Sequence, residues 1–303
     1  MAFMVKFVHL SIVEKKWGIM EYEKPFIYID TNFAKDEALM TYMAFKSYDF
    51  EILGLSTADG EMNPVLAAEN IVGLSTEKDL FLPVAAGKPF SDYHHLDKEI
   101  FITSKDYIET MPAYENIIDK AEDCGKLDII ATSGLTNIAK ALEEAPEIED
   151  YISHIFILGG ETDGEVSGTF IEDPEAIDKI LNTSIDLFLL PFGIANEPLL
   201  SDEMIDKLYG KDKNLNTILN EFKNQPLEKR FLRAPLLLYL SQAPEAFIFE
   251  ESGFGVITSH LEGEVGSLYR TNSRKKNYRV TRVNEEAFYD FLLGSLWKLN
   301  LQD

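Results

Sequence analysis

The sequence is poor in cysteine, in positive charge and in long apolar runs, and each shortage excludes a class of protein. Cys124 is the only cysteine among 303 residues, so the chain cannot form an intrachain disulfide. This composition suits a reducing compartment, and we expect a cytoplasmic protein. The acidic residues beside Cys124 disfavour a thiolate, so we interpret it as a bystander thiol rather than a nucleophile.

Positive charge is scarce. Lysine and arginine together number 28 against 52 aspartates and glutamates, and the formal net charge is -24. Nucleic acids and anionic membrane surfaces both attract basic faces, so this charge argues against either partner. The segment from Arg270 to Arg282 holds the only dense basic cluster. We interpret it as a solvated hairpin or an interface rather than an anion site.

No apolar run reaches the length of a membrane span. The run from Phe7 to Val13 is interrupted by polar residues and lacks a small-residue cleavage site, so we expect no signal peptide. Residues 1–24 are predicted to form a short N-terminal appendage. With no linker, internal repeat or low-complexity segment, we predict one domain over residues 25–303.

Short apolar runs alternate with helix-forming segments along most of the chain. The predicted strands are Phe26 to Asp30, Phe50 to Thr57, Leu80 to Ala86, Leu127 to Thr132, Ser153 to Leu158, Ile185 to Leu190, Phe254 to Ser259 and Tyr278 to Val283. The predicted helical segments are Pro64 to Leu74, Ser104 to Asp123 with an interruption near Pro112, Asn137 to Glu144, Asp173 to Leu181, Ser201 to Gln242 and Glu285 to Leu299. This alternation predicts an α/β fold, with a mostly parallel mixed sheet and helices on both faces.

The stretch from Phe26 to Ala38 is the first candidate site. It has the pattern of a strand, a tight turn and a helix. We expect Thr31 or Asn32 to cap that helix, and Asp36 and Glu37 to lie in its first turn. Ligands bind at such turns in open α/β sheets. A well-capped helix without a ligand is the simpler explanation of these local features.

Three further motifs follow at strand ends and helix starts. Thr132 to Ala139 ends a strand and opens a helix, for which Thr136 is a candidate cap. Leu158 to Gly160 ends the next strand, and Asp173 to Ala176 begins a helix with Pro174 in its first turn. Each motif alone is ordinary turn chemistry, but the set is specific in its order and spacing.

This set of motifs resembles the nucleoside hydrolase family, the inosine-uridine type of N-ribohydrolase. The opening Asp-Thr-Asn-Phe-Ala-Lys-Asp-Glu-Ala is similar to the family signature Asp-Thr-Asp-Pro-Gly-x-Asp-Asp-Ala, and Thr132 to Ala139 almost fully matches a second family segment. Leu53 to Thr57 and Ala234 to Pro244 fall in the expected order. The likeness covers most of the chain from Phe26, and it implies a Rossmann-like sheet that assembles as dimers or tetramers.

The resemblance also implies a reaction, hydrolysis of the N-glycosidic bond of a ribonucleoside. In the family a calcium ion binds the ribose hydroxyls and a water, and an aspartate takes the proton of that water. Calcium prefers about six to eight oxygen ligands, mainly carboxylates and carbonyls. Nearby negative charge stabilises the oxocarbenium-like sugar, and a general base contributes roughly 10²–10⁴-fold to the rate.

At the first family motif, the key positions carry changed residues. Asn32 stands where the family has the aspartate that is both base and metal ligand, and an amide cannot accept the water's proton. Asp36 keeps a ribose-binding aspartate, whereas Glu37 replaces a metal-binding one. Thr132 keeps the position whose backbone carbonyl faces the metal. Of the family's three metal carboxylates, only Glu37 remains, in altered form.

Later family positions differ as well. The family's His-Asp-Pro corresponds to Arg233-Ala234-Pro235, which removes the last metal carboxylate and places a cation near the metal position. Glu61 replaces a ribose-contacting asparagine, and Ser167 and Thr169 lie near the places of a Glu and an Asn that grip the sugar. The predicted pocket residues are therefore Asp30, Asn32, Asp36, Glu37, Glu61, Leu158, Ser167, Thr169, Arg233 and Ala234.

These changes favour a nucleoside hydrolase-like protein that has lost calcium-dependent N-ribohydrolase activity. It would need no cofactor, its metal ligands being reduced to Glu37 and the Thr132 carbonyl, and its ligand would be a nucleoside or ribose-like small molecule. A second hypothesis is an active hydrolase with a rearranged carboxylate site. Its carboxylates would be Asp30, Asp36, Glu37, Asp59 and Glu61. A third is a non-catalytic binding or assembly protein that reuses the scaffold.

Overall fold

The computed structural model describes residues 24–78, 80–89, 101, 107–260 and 264–297, and the fold consists of these parts of the chain. The strands are β1 (Phe26–Thr31), β2 (Glu51–Thr57), β3 (Val84–Ala86), β4 (Ile108–Glu109), β5 (Leu127–Ala131), β6 (Ile152–Leu158), β7 (Asp186–Leu190), β8 (Phe247–Val256), β9 (Leu268–Thr271) and β10 (Asn277–Val283). They form one ten-stranded sheet in the order β4-β3-β2-β1-β5-β6-β7-β10-β8-β9.

Every strand pair is parallel except the two that involve β8, which runs antiparallel to β10 and to β9. The predicted mostly parallel mixed sheet is therefore confirmed. Strand β1 lies between β2 and β5, with Asp30 opposite Ser56 on one side and Ala131 on the other. Since parallel strands end at the same edge, the turns after β2, β1, β5 and β6 lie side by side.

Helices cover both faces of the sheet. They are α1 (Lys35–Ala44), α2 (Pro64–Thr76), α3 (Ala113–Cys124), α4 (Thr136–Glu144), α5 (Gly168–Glu172), α6 (Pro174–Leu181), α7 (Phe192–Ala195), α8 (Asp202–Leu208), α9 (Lys213–Lys223), α10 (Arg233–Gln242) and α11 (Glu285–Trp297). Short 3₁₀ helices occur at Pro146–Tyr151, Leu227–Lys229 and Pro244–Ala246. Within the described ranges, no helix combines the length and the apolar character needed to cross a membrane.

The core forms two apolar clusters, one on each face of the sheet. Alternate residues of a strand point to opposite faces. Accordingly Ile29 packs in the cluster beneath α1, α2 and α8 to α11, and Tyr28 packs in the cluster beneath α3 to α6. The Tyr28 hydroxyl donates to Asn116 Oδ1 at 2.8 Å. Burial on both faces explains why these strands appear in the sequence as continuous apolar runs.

Two predicted elements on the β3 side differ in the structure. The strand expected from Leu80 begins only at Val84, after Pro83, and pairs with β2 over three residues. The helical segment expected from Ser104 contains the short strand β4, and its helix starts at Ala113. Pro112 disfavours helical backbone in the residue before it, so the helix begins after this proline.

Of the two interpretations of the basic segment from Arg270 to Arg282, a solvated hairpin or an interface, the hairpin is wrong. It contains β9 and β10, which lie on opposite sides of β8 rather than beside each other. Strand β8 begins at Phe247, earlier than expected, and pairs with β10 along one edge and with β9 along the other. The predicted appendage at residues 1–24 lies outside the described residues apart from Lys24.

Candidate functional site

Asp30, at the carboxyl end of β1, is fully buried at the centre of the site. Its Oδ1 accepts hydrogen bonds from Ser56 Oγ at 2.6 Å and from Asn137 Nδ2 at 3.0 Å, while its Oδ2 has no hydrogen-bond partner. Burial raises the pKa of Asp30 from 3.8 to about 6, although the hydrogen bonds from Ser56 and Asn137 oppose the shift. Asn137 also donates to Thr57 O at 3.1 Å, so it ties β1, β2 and α4 together.

The turn after β1 does not cap α1 in the predicted way. Asn32 Oδ1 accepts the N–H of Ala34 at 3.0 Å, and Thr31 Oγ1 accepts the N–H of Phe33 at 3.2 Å. The residue before the helix is Ala34, and no side chain caps the first turn. The cap prediction is wrong because the turn is longer than expected, so Thr31 and Asn32 satisfy donors of the turn itself.

Phe33 gives this turn its shape. Its φ is 56°, in the left-handed region, although its side chain is fully buried and packs edge-on against Phe101 with ring centroids 6.2 Å apart. The family signature has proline here, and a proline ring holds φ near about −65°. The backbone of this turn therefore cannot follow the signature. On the other side, a Cβ on Gly60 would lie 2.4 Å from Asn32 Nδ2, so the loop after β2 packs closely on Asn32.

Asp36 and Glu37 lie in the first turn of α1, as predicted. Asp36 Oδ2 accepts the N–H of Ala234 at 3.3 Å, while Glu37 Oε2 is buried without a hydrogen-bond partner. Burial raises the pKa of Glu37 well above its ordinary value, and the charges of Asp36 and Glu61 add to the shift. Glu61 itself is exposed. The negative charges of Asp36 and Glu61 therefore disfavour the ionised form of Glu37.

Arg233 and Ala234 begin α10. Ala234 is fully buried and offers no side-chain ligand atom. Arg233 Nε donates to Asn196 Oδ1 at 2.6 Å, and its guanidinium lies 4.4 Å from the ring centroid of Phe192 and 4.3 Å from that of Phe231. The cation predicted near the metal position is thus held against α7 and the segment that precedes α10.

The remaining predicted pocket residues come from β6 and α5. Leu158 is buried in the apolar cluster beneath α10, so it contributes packing. Ser167 and Thr169, at the start of α5, are both buried. Of eight buried side-chain atoms that lack a hydrogen-bond partner in the described parts, five belong to residues in or just after the carboxyl-end turns. They are Asp30 Oδ2, Glu37 Oε2, Ser133 Oγ, Glu161 Oε2 and Ser167 Oγ. Buried polar atoms without partners point to water or a ligand.

Glu172, at the end of α5, is a site residue that the sequence did not single out. Its carboxylate accepts the backbone N–H of Gly134. Burial, and to a smaller extent the negative charge of Asp59, raise the pKa of Glu172 from 4.5 to about 7. A Cβ on Gly134 would lie 3.1 Å from Glu172 Oε2, so glycine permits this approach. In the sequence Glu172 is one acid among many beside a helix start, and only the fold brings it near Asp59.

Thr136 and Asp173 join the turns after β5 and α5. Thr136 is the first residue of α4 rather than its cap, and its hydroxyl donates to Asp173 Oδ2 at 2.7 Å. The prediction that Thr136 caps α4 is therefore wrong. The capping position is occupied by Leu135, whose side chain has no hydrogen-bond acceptor. Asp173 Oδ1 accepts the N–H of Ala176 at 3.0 Å, so Asp173 caps α6 rather than beginning it, and Pro174 lies in the first turn as predicted.

The donor atoms at the turn after β1 do not fit the calcium that the resemblance implies. Asn32 Oδ1 already accepts a backbone N–H, Ala234 has no oxygen in its side chain, and Glu37 is the one carboxylate left of the three that the resemblance assigns to the metal. Within residues 24–297, the described positions include no group of three or more His, Cys, Asp or Glu side chains that could hold a metal ion. Calcium needs about six to eight oxygen ligands, and the side chains at the turn after β1 supply too few of them.

Comparisons with known proteins agree on the family. The family model described as "Inosine-uridine preferring nucleoside hydrolase" matches residues 27–290. "Probable uridine nucleosidase 2" of Arabidopsis thaliana is 24% identical over 279 residues, covering 82% of this chain and 87% of the relative.

Solved structures share the fold. The crystal structure of an inosine-uridine preferring nucleoside hydrolase from Bacillus anthracis has a TM-score of 0.77 at 17% identity, over 90% of this chain and 99% of that chain. The purine-preferring ribonucleoside hydrolase from Gardnerella vaginalis has a TM-score of 0.77 at 20% identity, over 91% of this chain and 99% of that chain.

Proposed function

Because this chain belongs to the inosine-uridine preferring nucleoside hydrolase family, we propose that it keeps a ligand pocket at the family's site but lacks calcium-dependent N-ribohydrolase activity. The ligand in this proposal is a nucleoside or a ribose-like small molecule. We further propose a homodimer or homotetramer in the cytoplasm. Sedimentation of the purified chain tests the assembly, and cell fractionation tests the location.

The observation that carries this proposal is that the side-chain oxygens at the turn after β1 are replaced or already hydrogen-bonded. Asn32 stands at the family's base position, and its only side-chain acceptor binds the Ala34 N–H. An amide has no lone pair basic enough to take a proton from water. Asp36 Oδ2 binds the Ala234 N–H at 3.3 Å, and Ala234 supplies no carboxylate. The proton acceptor and two of the three carboxylates that the resemblance assigns to the metal are therefore missing.

Support for a retained pocket comes from a different set of atoms. The Asp30, Ser133 and Ser167 side chains are buried at the carboxyl edge and keep polar atoms without hydrogen-bond partners. Burying such atoms unpaired costs about 1–3 kcal/mol each. A ligand rich in hydroxyl groups, such as a ribose, would satisfy them.

The direct test combines calcium titration with a hydrolysis assay. Isothermal titration of the full chain with calcium is expected to show no binding at millimolar concentrations. Inosine and uridine, incubated with the chain and calcium, are expected to release no free base above the rate without protein. The Bacillus anthracis enzyme, which is described as a nucleoside hydrolase, serves as the assay control. Tight calcium binding together with turnover would overturn the proposal.

A second candidate is a metal-independent hydrolase that uses a rearranged carboxylate site, and Glu172 favours it. A carboxyl with a pKa of about 7 is half protonated at neutral pH, which suits a general acid or base. The nearby charge is that of Asp59, and Asp30, whose pKa is about 6, lies at the carboxyl end of β1. Asp36, Glu37 and Glu61 complete the set of carboxylates that the sequence suggested.

This candidate predicts hydrolysis that survives chelation. A panel of nucleosides is assayed in EDTA across pH 5 to 9, with wild type, Glu172→Gln and the exposed control Glu175→Gln. Turnover that Glu172→Gln abolishes and Glu175→Gln leaves intact would support the rearranged site. No turnover of any nucleoside by the wild-type chain would eliminate it.

A further inference from the structure

Arg233 is held in a fixed orientation. Its guanidinium carbon lies over the rings of Phe192 and Phe231, at 4.4 and 4.3 Å from their centroids. Asn196 Oδ1 accepts the Nε–H at 2.6 Å. Aromatic faces stabilise a guanidinium without using its N–H groups. The two rings and Asn196 therefore hold the cation through its faces and its Nε–H, while neither Nη group has a hydrogen bond to a described residue.

Among the residues that the structure describes, no carboxylate forms an ion pair with Arg233. Arg230 pairs with Asp202, and Arg270 and Arg279 pair with Glu250. For Arg233, by contrast, the residues that the structure describes provide neither an ion pair nor a hydrogen bond to an Nη group. The side chain remains partly exposed. In a chain with 52 acidic residues, an arginine with no ion-pair partner among the described residues is suited to bind an anionic ligand.

The position of Arg233 places its cation at the ligand edge of the sheet. Phe192 and Asn196 belong to α7 and its end, directly after β7. The N–H of Phe192 donates to the Glu161 side chain, which follows β6. On the other side, Ala234 follows Arg233 in α10 and contacts Asp36. Arg233 therefore stands between the Asp36 turn and the β6 and β7 ends.

A second, independent observation at the same edge points to a ligand. Ser167 Oγ and Glu161 Oε2 are both buried and lack hydrogen-bond partners. The fractional exposures of these residues are 2% and 5%. A hydroxyl of a sugar can donate to Glu161 and accept from Ser167, whereas an anion would be repelled by Glu161. A ligand that suits both groups carries hydroxyls on one part and an anion on another.

We propose that Arg233 binds the phosphate of a phosphorylated riboside, such as a ribose phosphate or a nucleoside monophosphate. The Nη edge of a guanidinium matches two oxygens of a phosphate in a bidentate pair. Without a fixed cation, a phosphate would be repelled by a protein with a net charge of -24. The inference rests on the proposed ligand pocket but not on the absence of catalysis.

The test measures how much the phosphate adds to binding. Isothermal titration of the full chain in EDTA compares uridine 5′-monophosphate with uridine, and ribose 5-phosphate with inorganic phosphate. The wild-type chain is expected to bind uridine 5′-monophosphate about 10- to 100-fold more tightly than uridine, because hydrogen bonds to charged groups are strong. Weaker binding of inorganic phosphate than of ribose 5-phosphate shows that the sugar is recognised too.

Three variants separate recognition from a structural role of Arg233. Arg233→Gln is expected to remove the phosphate preference while changing uridine affinity by less than about threefold. Arg233→Lys is expected to restore only part of it, since an ammonium cannot form the bidentate pair. Arg282→Gln removes the same charge from an exposed position and is expected to keep the full preference. If circular dichroism shows that Arg233→Gln does not fold, the phosphate preference of Arg233→Lys is compared with that of the wild type instead.

Several outcomes would overturn the inference. One is equal wild-type affinity for the monophosphate and the nucleoside, and another is no binding of either phosphorylated ligand. A loss in Arg282→Gln as large as that in Arg233→Gln would show that only net charge matters. Calcium-dependent turnover of uridine would instead overturn the proposed function. The titrations in EDTA would still test the role of Arg233 in that case.

Discussion

Asp36 Oδ2 accepts a hydrogen bond from the backbone N–H of Ala234 at 3.3 Å, which joins the start of α1 to the start of α10. The acidic group lies where the α10 dipole favours negative charge. Asp36 therefore has a structural contact in this chain, at the position where the family resemblance gives it a ribose. The same carboxylate raises the pKa of its neighbour Glu37.

Removing the charge of Asp36 is expected to lower the pKa of Glu37. Asp36→Asn keeps an acceptor for the Ala234 N–H but removes the negative charge that adds to the effect of burial. Carbon-13 NMR titration of the Glu37 carboxyl measures the change. Glu61→Gln, which removes a weaker contribution, is expected to lower the pKa of Glu37 by less. An unchanged Glu37 pKa in Asp36→Asn would contradict the electrostatic account.

At Phe33, glycine is expected to be tolerated better than alanine. Both substitutions lose the buried ring, which typically costs about 3–5 kcal/mol. Glycine alone relieves the left-handed backbone, for which φ is 56° here, and that relief is worth about 1–2 kcal/mol. Urea unfolding should therefore give a higher free energy of unfolding for Phe33→Gly than for Phe33→Ala.

Phe170 is the matched control for this comparison. It is also fully buried, but it lies in helix α5 and has no positive φ. There Gly should be less stable than Ala by about 0.5–1 kcal/mol, since glycine weakens a helix. If alanine were more stable than glycine at both positions, the left-handed backbone at Phe33 would be refuted.

Asp30 should make the protein less stable as the pH rises. Its pKa is about 6 when folded and near 3.8 when unfolded, so the folded state holds the proton more tightly. The resulting stability is fully present below pH 3.8 and is lost as the pH rises through 6. The full loss corresponds to about 3 kcal/mol, as one pKa unit is about 1.4 kcal/mol.

Asp30→Asn tests this dependence, because asparagine can still accept from Ser56 and Asn137 but does not titrate. The free energy of unfolding of Asp30→Asn relative to wild type is expected to rise between pH 4 and pH 7, as measured by urea unfolding. Asp178→Asn replaces an exposed carboxyl and should show no such trend. A difference that stays constant with pH would refute the shifted pKa of Asp30.

Restoring two carboxylates is expected to create calcium binding. Asn32→Asp with Ala234→Asp returns the acids at the two positions that the family resemblance assigns to the metal. Calcium should then raise the melting temperature, and at about a hundred times the dissociation constant it adds about 2.7 kcal/mol. Asn272→Asp with Ala246→Asp adds the same charge outside the site and should not respond. No gain in the first double variant would mean that the matched positions or the pocket are wrong.

Much of the fold follows from local sequence patterns. The apolar runs at β1, β5 and β6 are buried on both faces, and such runs are visible without any partner. The acidic first turn of α1 and the Asp173 cap of α6 follow from the chemistry of helix starts, which depends on a few neighbouring residues. Long-range pairing leaves no local signal, so the sequence did not reveal that β8 lies between β10 and β9.

At the site, the sequence by itself determined which residue types stand at the family positions, including Asn32 and Ala234, because a motif is read in order along the chain. The tertiary structure alone decided what those residues contact. It brought Glu172 near the charge of Asp59, set Phe33 in the left-handed region and placed two aromatic rings against Arg233. Contacts, burial and the resulting pKa values depend on residues distant in the chain, and only the packed fold places them together.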